Sequence, residues 1–310
     1  MSRSKRLAPP EPIQKAPRSS LPGLRLALAV LLYAGVTVAL RLGLGTALRA
    51  LFDAWNVNKS TVARAPGWAR ALYVWQGSLV TLIVSAAAIA LALVLFRAKL
   101  PRPEPRSTVL WWGIGTGIAL VSAALFLITD SLRPEWPLTS PRLTPGLALL
   151  WLMSLLAALA EELFTKGVLL EGVRPPWGVA LSALAFFLTN GGLSGTVISG
   201  INVALMGLLC AVIYLRRGLW ADAAFRWGWS FATVFLLGQG GGERSVYKLY
   251  GVSETLLTGG DAGFVYGVWL TVILIVLLAA ESLPLWGRLS EKRYRAFLMA
   301  FNRSSKSSKA

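Results

Sequence analysis

Eight apolar runs, most of them long enough to cross the hydrocarbon core of a bilayer, alternate along the chain with short polar gaps. They cover residues 24–44, 73–96, 109–129, 146–170, 177–195, 197–215, 219–238 and 264–285. The pattern predicts an all-α, polytopic helical membrane protein with about eight transmembrane helices. Pro66-Gly67, the prolines between Pro101 and Pro105 and between Pro134 and Pro145, Pro175-Pro176 and the glycines from Gly238 to Gly242 mark the turns. No internal or inverted repeat is visible, which argues against common transporter architectures. Three regions are expected: a basic arm over 1–23, one membrane-embedded helical domain over 24–285, and a basic tail over 286–310.

Composition agrees with this pattern. The chain has 310 residues, 55% of them hydrophobic and 15% charged, with a mean hydropathy of +0.61. These values exclude an ordinary soluble domain. The net charge of +17 would suggest nucleic acid if the cations formed a face. They cluster instead at span ends expected on one side: in the arm, from Arg97 to Arg106, at Arg174, at Arg216 and Arg217, and in the tail from Arg288 to Lys309. That bias is expected of positive-inside anchoring, with both termini cytosolic in a plasma (inner) membrane, the tail against anionic lipid headgroups, and no nucleic-acid partner. The arm has no apolar run of its own and reads as disordered rather than as a removable signal peptide. Trp111, Trp112, Trp177, Trp220 and Trp286 fall at span ends, as interfacial tryptophans do. Cys210 is the single cysteine and histidine is absent, so a zinc site would have to rest on carboxylates. No metal and no cofactor is expected.

Charge inside the spans carries the functional signal. Glu161 and Glu162 interrupt the fourth run, where a carboxylate costs roughly 2.5–3.5 kcal/mol on insertion scales. Lys166 follows Glu162 by four residues and lies on the same helical face, where it can neutralise it. Glu161 is left without a partner in its own span. At 1.5 Å rise per residue it sits roughly 15 Å deep, Asn190 of the fifth span roughly 20 Å and Arg226 of the seventh roughly 10 Å. The three can therefore meet and form a compensated cluster beside a cavity.

These residues resemble a family. Glu161-Glu162-Leu-Phe-Thr-Lys166 looks like the EExxxR motif of the CPBP family, the CAAX-protease and bacteriocin-processing intramembrane proteases, with Lys for Arg. Phe186-Phe-Leu-Thr-Asn190 looks like its FxxxH motif, with Asn for His, and Arg226-Trp-Gly-Trp-Ser230 like its HxxxN, with Arg and Ser at the named positions. Ile201-Asn202 with Gly207, and Leu256 to Gly260, resemble segments around that core, so the likeness spans about 146–265. In the family the first Glu and the second-motif His activate a water, alone or with a bound metal, while the third-motif residues steady the oxyanion. By position those roles fall on Glu161, with Glu162 beside it, Asn190, Arg226 and Ser230.

The chemistry does not carry over with the positions. Asn takes no proton at neutral pH, and Arg neither ligates a cation nor gives up its proton. One reading is a catalytically degenerate homologue in which Arg226 replaces the catalytic cation and the cavity binds a partner transmembrane helix, a peptide or a lipid. An alternative keeps an intramembrane endopeptidase with Glu161 as general base and Asn190 and Arg226 as oxyanion donors. A third has the carboxylate pair conduct protons or ions. Structural readings stand beside these. Asn190 can be interhelical glue, Asp222 and Arg226 at i, i+4 can pair locally with Arg226 snorkelling outward, Lys166 can reach the headgroups, and Cys210 can be a packing position.

Overall fold

The computed structural model describes residues 23–58, 60–94, 98, 100–129, 132–134, 147–170, 173, 177–193, 196–238, 246–247, 249–251 and 267–283. The described elements are helices α1 (Gly23–Ala54), α2 (Gly67–Val94), α3 (Pro105–Ile128), α4 (Leu147–Glu162), α5 (Trp177–Thr189), α6 (Val197–Arg217), α7 (Leu219–Ser230) and α8 (Val268–Leu283). Two of them continue without a break into π-helical turns, α4 into Leu163–Leu170 and α7 into Phe231–Leu236. A pair of three-residue strands, β1 (Leu132–Pro134) and β2 (Leu249–Gly251), runs antiparallel with Arg133 opposite Tyr250. The basic arm (residues 1–22) and the tail lie outside the described residues, as do 252–266 and most of the glycine run from Gly238 to Gly242.

Helix α7 is the centre of the bundle. It packs on α3, α4 and α6, and almost every residue from Leu219 to Trp229 is buried. Small residues bring α3 and α7 into backbone contact. A Cβ at Gly115 would collide with the carbonyl oxygen of Phe225, and one at Gly228 with that of Trp112. Around this contact Trp111, Ile118, Phe126, Phe186, Phe225 and Trp229 form part of the largest apolar cluster. Helix α1 has the opposite character: Leu31, Val38 and Leu42 are exposed, as side chains facing lipid are.

Local sequence sets the boundaries that matter for the site. Thr196 caps α6, its hydroxyl accepting from the Ser199 amide at 3.2 Å. Gly218, at φ +86°, closes α6 and lets α7 start at once in a new direction. Helix α5 ends at Thr189 because Asn190-Gly191-Gly192 turns out of it, with Gly191 at φ +75°.

That turn corrects part of the expected topology. The fifth run does not stay helical to residue 195, and α5 at 13 residues covers roughly 20 Å of a hydrocarbon core about 30 Å thick. Five described helices are long and apolar enough to cross: Val30–Ala54, Gly67–Val94, Pro105–Ile128, Ala148–Leu170 and Val197–Arg217. α5 and α8 are apolar but shorter, and α7 is enclosed by its neighbours. The all-α, multi-pass membrane architecture stands, with eight helices among the described residues, five of them long and apolar enough to cross.

Candidate functional site

Three polar residues from three helices converge. Arg226 on α7 directs Nη2 at Oε2 of Glu161 on α4, at 3.0 Å, and the same nitrogen donates to Oδ1 of Asn190 at 2.9 Å. Asn190, just past the end of α5, donates through Nδ2 to the other Glu161 oxygen, Oε1, and to the carbonyl of Phe186 at 3.0 Å. The Thr189 hydroxyl lies 3.0 Å from Glu161 Oε1 as a further donor. Both carboxylate oxygens of Glu161 are thus engaged by fixed donors. The Glu161 side chain is 20% exposed and that of Arg226 9%.

One residue further on, the surroundings change. Glu162 is fully buried and pairs with Lys166 Nζ at 2.6 Å. Lys166 is equally buried, with its ammonium also donating to Thr165 Oγ1 at 3.1 Å. It therefore does not snorkel to the headgroups, because the π-helical turns that carry it are covered on all sides. Arg226 Nε lies 3.6 Å from Glu162 Oε1, which is a charge contact rather than a hydrogen bond. The guanidinium bridges two carboxylates and is not a bidentate clamp on one. The local Asp222–Arg226 pair is not formed: Arg226 faces Glu161 and Glu162, while both oxygens of the buried Asp222 lack a hydrogen-bond donor.

The ring of Phe186 stands between the two cations, 4.4 Å from the Arg226 guanidinium carbon and 5.2 Å from Lys166 Nζ. Its face attracts both and keeps like charges apart. A cavity of about 100 Å³ opens beside Arg226, with Asn190 and Asn202 at its polar end and Val203, Met206, Trp229 and Leu270 along its apolar wall. Asn202 is held there by α8, donating to the Gly267 carbonyl at 3.0 Å and accepting from Thr271 at 2.6 Å.

Of the residues expected at the site, the structure brings together Glu161, Glu162, Asn190 and Arg226. Ser230 lies one turn beyond Arg226, half-buried, and none of the described hydrogen bonds uses its hydroxyl. Asp222 and Cys210 also belong to the arrangement and were not anticipated in it, while Phe186 and Thr189 come from the run that ends in Asn190. An unpaired third carboxyl within a span was the signal available for Asp222. Cys210 is buried in the largest apolar cluster, and its sulfur, an oxygen of Glu162 and an oxygen of Asp222 all lie within 4.8 Å of one another.

A catalytic metal does not fit these residues. At the motif positions Arg226 supplies a cation where a ligand would stand, and the Asn190 oxygen already accepts from it. The group of Glu162, Cys210 and Asp222 has the Lys166 ammonium against its Glu, so a divalent ion would meet a charge of its own sign.

Chemically the arrangement can hold an anionic or hydrogen-bonding group in the cavity through Arg226, Asn190 and Asn202. Glu161 accepts from Asn190 and Thr189 at Oε1 and from Arg226 at Oε2, so a water at its carboxylate would share acceptor sites with these donors. Comparison with curated proteins and with solved structures returns no significant match. Residues 143–232, which include the Glu161, Asn190 and Arg226 segments, match the family model for type II CAAX prenyl endopeptidase Rce1-like proteins. Over that segment, which holds the three motif-like runs, the chain is similar to the type II CAAX prenyl endopeptidases.

Proposed function

We propose that this CPBP homologue binds a membrane-borne ligand in the cavity beside Arg226 and does not cleave it. One observation carries the reading: Arg226 and Asn190 together occupy both oxygens of Glu161. A water polarised by Glu161 would compete with these donors, the Arg226 bond being charge-assisted. The cavity wall is apolar and its end cationic, a combination suited to a partner helix, a peptide or a lipid presenting a polar group. The cation-rich segments 97–106 and 216–217 support an orientation with both termini in the cytosol, in the plasma (inner) membrane.

The test uses the full chain in proteoliposomes with a prenylated reporter peptide. No cleavage is expected from the wild type or from Glu161→Gln, while a photoreactive group at Met206 cross-links to labelled phospholipid or to the peptide. Cleavage by the wild type that Glu161→Gln abolishes would overturn the proposal and make Glu161 the general base of an active endopeptidase.

A further inference from the structure

Five ionisable side chains are packed into the centre of the bundle. Glu161, Glu162 and Asp222 would carry three negative charges, and Lys166 and Arg226 two positive ones. Glu162, Lys166 and Asp222 are fully buried, and only the Glu161 and Arg226 side chains keep some exposure. An uncompensated charge there costs several kcal/mol, so the cluster is one positive charge short.

The unsatisfied atoms show where that charge belongs. Among the buried side-chain atoms without a hydrogen-bond partner are both oxygens of Asp222 and Oε1 of Glu162. A Glu162 oxygen and an Asp222 oxygen lie within 4.8 Å of each other. The remaining Glu162 oxygen, Oε2, is held by Lys166 at 2.6 Å and approached by Thr165 at 3.4 Å. Two buried carboxyls this close are satisfied together by one shared proton, since the nearest cationic donor to Glu162 Oε1, Arg226 Nε, stays beyond hydrogen-bond range at 3.6 Å. Lys166 and Arg226 are already committed to the glutamates. Cys210, the other titratable group facing Asp222, offers only a weak S–H donor. Helices α2 and α3, which flank α4 and α7, carry their own ionisable residues (Arg70, Tyr73 and Arg106) near their first turns.

We infer that Asp222 is a neutral carboxylic acid at physiological pH, its proton donated to Glu162 Oε1, so that the closed end of the cluster is a proton-binding site. The proton brings the five groups to net zero and supplies the bond that both carboxyls lack, a short O–H···O⁻ contact of about 2.5–2.7 Å. A divalent ion would instead leave an excess of positive charge next to Lys166. Asp222 is a positioning residue here: with its proton in place Glu162 keeps a single negative charge for Lys166 and Arg226 to share. Whether the neighbouring cavity cleaves or binds does not enter this argument.

Infrared spectroscopy of the full-length protein in lipid vesicles tests it. A protonated-carboxyl C=O stretch is expected at neutral pH, shifted by ¹³C-aspartate labelling and lost in Asp222→Asn. Asp222→Asn, whose amide N–H replaces the O–H donor, is expected to keep the wild-type unfolding midpoint within a few degrees, whereas Asp222→Leu lowers it well beyond that. No such band in the wild type, a band that ignores the aspartate label, or a stoichiometric divalent metal bound by the wild type would overturn the inference. The label is read in the wild type, so the test holds even if a variant fails to fold.

Discussion

Glu161 and Glu162 are neighbours on one helix, yet they occupy two different sites. Glu162 lies in a closed compartment with Lys166, Asp222 and Cys210, all fully buried. Glu161 is bound by Arg226 and Asn190, which line the cavity, and by Thr189, and a fifth of its side chain stays accessible. The α-helical rotation between consecutive residues is enough to place one carboxylate behind the other. Burial then separates their surroundings: Glu162 is enclosed with Lys166, while Glu161 keeps some exposure beside the Arg226 that lines the cavity.

The contrast can be broken, beginning with its largest expected effect. Lys166→Met strands Glu162 in the closed compartment and is expected to cost about 3–5 kcal/mol of unfolding free energy, measured by steric trapping in bicelles. Arg226→Met should cost less, about 2 kcal/mol, since Glu161 keeps Asn190 and Thr189 as donors and some solvent. A cost for Arg226→Met equal to that of Lys166→Met would erase the distinction between the compartments. Glu161→Gln is expected to lower stability by about 1 kcal/mol while weakening ligand cross-linking at the cavity, because a neutral amide orients Arg226 less firmly. Thr189→Val should cost at most about 0.5 kcal/mol, because its hydroxyl is one of several donors and sits on an exposed rim. A larger effect would show that the rim is stiffer than its exposure implies.

The outer site was legible in the sequence because charge within a span is expensive. Glu161 had no partner in its own run, so Arg226 and Asn190 could be matched to it by depth alone. Lys166 was harder to read. Spacing of i, i+4 to Glu162 allows an inward pair and equally allows a side chain reaching for headgroups, and only the packing of neighbouring helices chooses. Asp222 shows the same limit from the other side, since its spacing to Arg226 suggests a local pair that tertiary contacts have dissolved. The early end of α5 was visible in Gly191-Gly192 but was overridden by the apolar residues before it. The π-helical turns after Glu162 and Phe231–Leu236 leave no compositional trace, because a shift of hydrogen-bond partner asks for no particular residue type.

The ionic spacing on α4 and α7 also bears on how the chain enters a membrane. Glu162 with Lys166 and Asp222 with Arg226 are each one helical turn apart, so each segment can leave the translocon as a self-neutralised hairpin of charges. Once the two segments meet, the α7 pair parts: Arg226 turns to the glutamates, Asp222 to the side of Glu162. The partner that linear spacing offers Arg226 on α7 is thus not the one it keeps in the folded bundle.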